Sequence, residues 1–217
     1  MNPHIADYTQ LDIPPAPWHL RGSACVSLWR VPLALLPAPP SGVTYHSVAG
    51  QAFVVTAWVN YLPGGTLSYD ELALAVLARS SDEFSPACTV PLIWVNDPVS
   101  AAGGRRLWGI PKELAEFAAQ PSTDGADSTV HASIAGKPLA SLTVTRGVAL
   151  PGKLPLRGFL LQNGPGGLMR TRCAARGQVR LGRVTWDFAR SGALAFLRAR
   201  KPLFSVLVSD LQGDFGL

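Results

Sequence analysis

Apolar stretches separated by breaks rich in glycine and proline recur along most of the chain. Ala52–Tyr61 and Cys88–Val95 are the strongest, and both are rich in the β-branched and aromatic residues that favour strands. Ser128–Ala135 and Leu139–Thr145 flank a short turn around Gly136 and predict a β-hairpin. Roughly ten such segments predict a mainly β protein of α+β type, in which a largely antiparallel sheet closes or curls to bury its apolar faces.

Two short segments have a helical pattern instead. Leu114, Phe117 and Ala118 follow an i, i+3, i+4 spacing, and Pro111 suits the first turn of a helix there. Ser191–Ala199 is the second predicted helix, with its leucines packing inward.

Two further predictions concern the chain before and after these segments. Asp97 is a suitable N-cap for a single helical turn that precedes Gly103 and Gly104. Leu168–Ala175 and Gln178–Asp187 are predicted to form a second hairpin, because Arg176-Gly177 between them resembles a turn.

Leu67–Ala78 is compatible with either a strand or a helix. In a strand, Tyr69, Glu71 and Ala73 share one face, and Glu71 points inward among small and apolar residues. Burial there would favour the protonated carboxyl that a general acid requires. In a helix, Glu71 is instead a surface carboxylate in the first turn, where it favours the helix dipole.

Composition adds limits on the class of protein. A chain of 217 residues with 47% hydrophobic content is predicted to form one domain over residues 1–217. The net charge is +5, but the basic residues are scattered and have no interleaved aromatic residues, which argues against nucleic-acid binding. Cys25, Cys88 and Cys173 are far apart and the four histidines show no ligand spacing, so neither a disulfide framework, a metal site nor a cofactor is predicted.

The N-terminal residues lack a basic segment followed by an apolar core, so no signal peptide is predicted. The longest apolar runs are well short of the roughly 20 residues that a membrane helix needs. We therefore expect a cytoplasmic protein with no membrane contact.

Lys112 is the strongest candidate for chemistry, because it follows Trp108 and Ile110 in a chain with only 15% charged residues. A lysine amine attacks a carbonyl carbon only when part of it is neutral, and desolvation favours that neutral form. The alternative is a solvated lysine beside an ordinary core tryptophan.

Two short motifs contain the candidate residues: Gly104-Arg105-x-Leu107-x-x-x-Pro111-Lys112 and Ser68-Tyr69-Asp70-Glu71. The first is similar to the active-site segment of the acetoacetate decarboxylase family, Gly-Arg-Glu-Leu-x-x-x-Pro-Lys-Lys, and the second is similar to that family's Tyr-Thr-Glu-Ser segment. The resemblance implies a cone-like antiparallel β-barrel, a homo-oligomer, Lys112 as the Schiff-base lysine and Glu71 as the acid of the pocket. The same pocket is expected to bind substrate through Tyr69, Arg105, Trp108 and an arginine for the substrate carboxylate, for which Arg21 is the candidate.

Three departures from the family pattern bear on the chemistry. Glu113 replaces the second lysine, so no neighbouring cation activates Lys112 and desolvation must do so alone. Thr56 occupies the position of the second pocket acid. The carboxylate-binding arginine has no direct match, because the corresponding position falls near Ser23, between Arg21 and Arg30.

These observations predict a lyase without a cofactor that forms an imine between Lys112 and a small oxo acid. Decarboxylation, aldol chemistry and dehydration all use that intermediate, and the residues do not choose among them. The alternative is a non-catalytic small-molecule-binding protein in which Lys112 forms an ion pair with Glu71. A third hypothesis is a structural oligomer without a small-molecule site.

Overall fold

The computed structural model describes residues 11–80, 86–121 and 127–217. Within these ranges the chain is mainly β, with one α-helix and two short 3-10 turns, which confirms the predicted fold class. The α-helix, α1, spans Pro98–Trp108. The strands are β1 (Trp18–Pro32), β2 (Val43–Tyr45), β3 (Ser47–Val48), β4 (Gln51–Tyr61), β5 (Tyr69–Ser80), β6 (Ala87–Val95), β7 (Lys112–Leu114), β8 (Glu116–Pro121), β9 (Asp127–Ile134), β10 (Lys137–Ala149), β11 (Leu154–Gly164), β12 (Gly167–Phe188) and β13 (Phe204–Phe215).

The strand pairings close into a ring. The order β11-β6-β5-β4-β1-β13-β12 returns to its start, because β12 also pairs with β11. All the pairings within the ring are antiparallel except that of β6 with β11. The 22-residue β12 has two partners on one edge, β11 along its first half and β10 along its second. Strands β10, β9 and β8 therefore extend the sheet beyond the ring.

One apolar cluster fills the inside of the ring. It draws side chains from every ring strand and from α1, including Leu20, Tyr61, Val95, Leu160 and Phe215. A second cluster covers the outer face, where β8–β10 fold back over the ring. There Trp58 of β4 meets Phe117 of β8 edge to face, with ring centroids 5.5 Å apart. Each large side chain buried in this way stabilises the fold by roughly 1.5–3 kcal/mol.

The predicted helix at Leu114–Ala118 is wrong. Lys112–Leu114 forms β7, which pairs in parallel with β6, and the chain continues into β8. The helical spacing after Pro111 was overridden because β6 offers an unpaired edge, and Ala115 N–H also donates to Val95 O. The helix lies before Lys112 instead of after it.

Two other predictions need correction, whereas the hairpin of β9 and β10 is confirmed. The predicted hairpin within Leu168–Asp187 is a single strand, β12. Gly177 allows β12 and β13 to lie close together, because a Cβ on it would lie 2.3 Å from Val208 Cγ1 of β13. The predicted helix at Ser191–Ala199 is only a 3-10 turn at Ala195–Leu197, although Leu197 is buried as expected.

None of the helices in the described ranges has the length and apolarity needed to cross a bilayer. The prediction that the N-terminal residues form no signal peptide concerns residues 1–10, which lie outside the described part of the chain.

Candidate active site

Helix α1 begins at the predicted cap and carries one side of the site. Asp97 is the N-cap, and its Oδ1 accepts a hydrogen bond from Ser100 N–H at 2.5 Å. Pro98 occupies the first helical position, where its missing N–H costs nothing. The helix is longer than the single turn expected from the sequence, because it continues through Gly103 and Gly104. The cap therefore fixes the start of an element that leads directly to Lys112.

The C-terminus of α1 turns the chain back toward the sheet. Gly109 adopts the left-handed conformation with φ 64°, which glycine accepts without a Cβ clash. Its N–H donates to Arg105 O, and Ile110 N–H donates to Gly104 O, which satisfies carbonyls at the helix end. This reversal places Lys112 beside the edge of β6.

Lys112 and Glu71 face the inside of the ring from opposite sides of β6. Lys112 is paired with Ile93 and Glu71 with Val95, and these two residues of β6 are two positions apart. Side chains two apart on a strand point to the same face. The backbones of β5 and β7 are about 10 Å apart across β6, so only long side chains can meet there.

The Lys112 amine is buried and fully hydrogen-bonded. Nζ donates to Glu71 Oε2 at 2.9 Å, to Ser100 Oγ at 2.9 Å and to Tyr69 OH at 3.1 Å. Lys112 is 3% exposed and Glu71 is 8% exposed. Three acceptors match the three N–H groups of an ammonium, so they offset the cost of removing the charge from water.

Gly104 makes room for the stem of Lys112. A Cβ on this helical glycine would lie 2.8 Å from Lys112 Cδ and 3.0 Å from Cε. Gly104 is one turn after Ser100, so both face the lysine from the same side of α1. The glycine of the Gly-Arg motif is therefore a packing requirement of the lysine.

Two buried tyrosines adjoin the pair. The rings of Tyr61 and Tyr69 have centroids 4.8 Å apart. Burial, and then the neighbouring Glu71 charge, raise the pKa of both hydroxyls well above their ordinary value. Tyr69 therefore keeps its proton near neutral pH and remains available as a hydrogen-bond donor to Glu71 or to a ligand.

Glu113, which follows Lys112 in the chain, points away from the site, as predicted. Glu113 is exposed, and its Oε2 accepts a hydrogen bond from Trp94 Nε1 at 3.1 Å. The reason is the alternation of side chains along β7, and not the divergence at a helix start from which it was expected. Thr56 also lies away from Lys112, because its hydroxyl accepts a hydrogen bond from buried Trp29 Nε1 at 2.9 Å.

The remaining predicted site residues have different positions. Arg105 donates from Nε to Lys112 O at 2.6 Å and so holds the backbone of the lysine. Trp108 is 5% exposed and packs edge-on against Trp18, with centroids 4.8 Å apart, as part of the inner wall. Arg21 is not brought to Lys112: it is exposed and follows Leu20, which points into the ring, so its own side chain lies on the outer face.

Sequence reasoning missed Ser100 and Tyr61. Ser100 had one available signal, because it lies one helical turn before Gly104 in a segment that Asp97 caps. Tyr61 had none, since its proximity to Glu71 comes from the pairing of β4 with β5. Among the residues that the structure describes, no three histidine, cysteine or acidic side chains are grouped so that they could hold a metal ion.

Comparisons with known proteins identify the family of this chain and illustrate its fold. Residues 40–167 match the sequence profile of the family described as acetoacetate decarboxylase (ADC). That is more than half of the chain, and the chain belongs to this family. A comparison with curated protein sequences found no match.

Three solved structures illustrate the shared fold. Acetoacetate decarboxylase from Legionella pneumophila has a TM-score of 0.65 at 14% identity, covering 99% of this chain and 93% of that one. An acetoacetate decarboxylase-like enzyme from Sphingomonas wittichii RW1 has a TM-score of 0.62 at 16% identity, covering 100% and 97%. The enduracididine biosynthesis enzyme MppR, complexed with the condensation product of pyruvate and imidazole 4-carboxaldehyde, has a TM-score of 0.61 at 18% identity, covering 94% and 88%.

Proposed function

We propose that this protein is a lyase that forms a Schiff base between Lys112 and a small oxo acid. The observation that carries the proposal is the 2.9 Å contact between the buried Lys112 Nζ and Glu71 Oε2. A buried ion pair can relax to a neutral amine and a neutral carboxyl by moving one proton along this hydrogen bond. In that neutral form the amine has a free lone pair and is the nucleophile.

Imine formation begins when Glu71 takes a proton from Nζ. The amine lone pair then attacks the carbonyl carbon of the oxo acid, and the carbonyl oxygen becomes a hydroxyl as it receives the proton that the attacking nitrogen loses. That hydroxyl leaves as water with the proton returned from Glu71, while the nitrogen lone pair forms the C=N bond. The product is a protonated imine, which accepts the electron pair of an adjacent C–C or C–H bond when that bond breaks.

The proposed substrate class is suggested by the family and by one of the similar solved structures. MppR is complexed with a condensation product of pyruvate, so pyruvate and an aldehyde are the first substrates to test, with acetoacetate as the family's own substrate. In this proposal Tyr69, whose hydroxyl lies 3.1 Å from Lys112 Nζ, donates a hydrogen bond to the bound substrate, and Trp108 is part of the apolar wall that excludes water.

A second candidate is a binding protein in which the ion pair is permanent. The observation that favours it is that all three Nζ donors are already engaged by Tyr69, Glu71 and Ser100. In that case Lys112 stays charged and holds an anionic ligand without bond formation.

Borohydride trapping distinguishes the Schiff-base lyase from the binding protein. The protein is incubated with pyruvate or acetoacetate, reduced, and digested for peptide mass spectrometry. We expect a reduced adduct on Lys112 in the wild type and none in Lys112→Arg, whereas Lys137→Arg, a change at an exposed lysine, keeps it. Ligand-induced stabilisation without any adduct would instead support the binding protein, and neither effect would reject both.

A further inference from the structure

The outer face of the ring has a groove that the Lys112 chemistry does not use. It crosses β1, β13, β12 and β11 and has a volume of about 450 Å³. The register aligns one row of residues across the four strands, Arg21, Gln212, Arg176 and Pro155. A second row, two residues along, is His19, Asp214, Ala174 and Arg157. Directly paired residues share a face, so both rows line the same surface.

Three arginines surround this groove, and each is exposed: Arg21, Arg157 and Arg176. Arg176 and Arg157 are diagonal neighbours on adjacent strands, a separation of about 7–8 Å that lets both guanidinium groups reach one ligand group. Arg21 lies on β1, so its side chain borders the groove from the other side of β13. The groove floor between them includes Ala174, whose small side chain leaves the space open.

The positive charge of the groove is not balanced by the protein. Among the described residues, its one carboxylate is Asp214, which accepts a hydrogen bond from His19 Nδ1 at 2.6 Å. No ion pair in the described part of the chain involves Arg21, Arg157 or Arg176. Three guanidinium groups around one cavity repel one another, and a bound anion relieves that repulsion.

One guanidinium group is already oriented. Arg176 Nε donates to Gln212 Oε1 at 2.7 Å, so the plane of its fork is held by a neighbour on β13. A held guanidinium group loses less side-chain entropy when it binds a carboxylate or phosphate bidentately. The volume of the groove is also within the roughly 300–1,000 Å³ range of small-molecule sites.

We propose that this groove binds a small molecule carrying two or more negative charges, as phosphate or carboxylate groups. Arg157 and Arg176 bind one anionic group and Arg21 binds the other. Arg21 was expected from the sequence to hold a carboxylate beside Lys112, and the structure assigns it to this groove instead. The site is on the opposite face of the ring wall from Lys112 and is independent of the imine chemistry.

Isothermal titration calorimetry with pyrophosphate and with succinate, at fixed ionic strength, tests the proposal and separates the two anion types. We expect at least one of them to bind, and Arg157→Ala or Arg176→Ala to weaken that binding by about 10-fold or more, as loss of a charged hydrogen bond implies. Arg183→Ala is the matched control, because it removes an exposed arginine on the same strand outside the groove. Lys112→Arg should bind like the wild type.

Two results would overturn the site. One is no binding of either anion at millimolar concentration. The other is equal weakening by Arg183→Ala and Arg157→Ala, which would show attraction by net charge alone. Borohydride trapping at Lys112 is unaffected in either case, so failure here is distinct from failure of the proposed function.

Discussion

Lys112 Nζ and Glu71 Oε2 lie 2.9 Å apart although β6 separates the strands that carry them. Both side chains cross over the inner face of β6 to make this contact, and both are buried. Such a hydrogen bond is short enough for direct proton transfer, which is the step that would turn a charged lysine into a nucleophile.

Glu71→Gln should slow imine formation strongly. The amide cannot take the proton from Nζ, and loss of a positioned proton acceptor typically reduces rate by about 10²–10⁴-fold. The variant should also be less stable, by up to about 3–5 kcal/mol, because the ammonium loses its buried countercharge. Trapping rate and urea unfolding measure the two effects. Asp70→Asn is the control on the same strand, and equal trapping rates in Glu71→Gln and wild type would contradict the proton role.

Gly104→Ala should displace Lys112 without unfolding the protein. The added Cβ would lie 2.8 Å from Lys112 Cδ, and that flexible side chain can move. Alanine also favours the helix by about 1 kcal/mol relative to glycine. We expect trapping at Lys112 to fall by about 10²-fold, the size of effect that a 1 Å misplacement can cause. Gly166→Ala, where a Cβ meets nothing within 4 Å, should match the wild type.

Asp97→Ala should destabilise the protein through the start of α1. The carboxylate accepts the Ser100 N–H, and loss of such an N-cap costs about 0.5–2 kcal/mol. Asp97→Ser should restore most of this stability, since serine is also a good cap. Chemical unfolding of the three proteins provides the measurement. A serine variant as unstable as the alanine variant would show that capping is not the role of Asp97.

Stability should fall in alkaline solution as one buried thiol, Cys25, and two partly buried thiols, Cys88 and Cys173, are forced to ionise. Burial raises the pKa of Cys25 and Cys173 to about 12 and of Cys88 to about 11. In the unfolded chain a thiol ionises at about pH 8.5. Above that pH the unfolded state therefore releases protons that the folded state keeps. Stability is therefore complete below about pH 8.5 and declines as pH rises toward 11 or 12, with the raised pKa of Tyr61 and Tyr69 adding to the loss above about pH 10.

Urea midpoints between pH 7 and pH 10.5, under reducing conditions, measure this decline. Cys88→Ala should flatten it, because one of the shifted thiols is removed. A midpoint that stays constant or rises over this range would contradict the raised pKa of these thiols in the folded protein.

The two residues of the pair were predictable from the sequence because each lies in a short motif. Lys112 was found from its Gly-Arg and Pro-Lys neighbours, and Glu71 from the segment around Tyr69. Their contact depends on β6, which lies between them in the sheet, and no local pattern contains that information. Ser100 was missed, although its position one helical turn before Gly104 was an available signal.

The sequence by itself determined the mainly β class, the hairpin of β9 and β10, the cap at Asp97 and the identity of the central lysine. These depend on hydrophobic alternation, on turn residues and on short motifs, which are local properties of the chain. Only the tertiary structure decided that Lys112–Leu114 is a strand, that Gly167–Phe188 runs through without a turn and that Arg21 faces outward. Each of these depends on a backbone partner that is remote in sequence, such as the edge of β6 or the strand β13. A strand forms where its N–H and C=O groups find partners, and this can override the preference of its own residues.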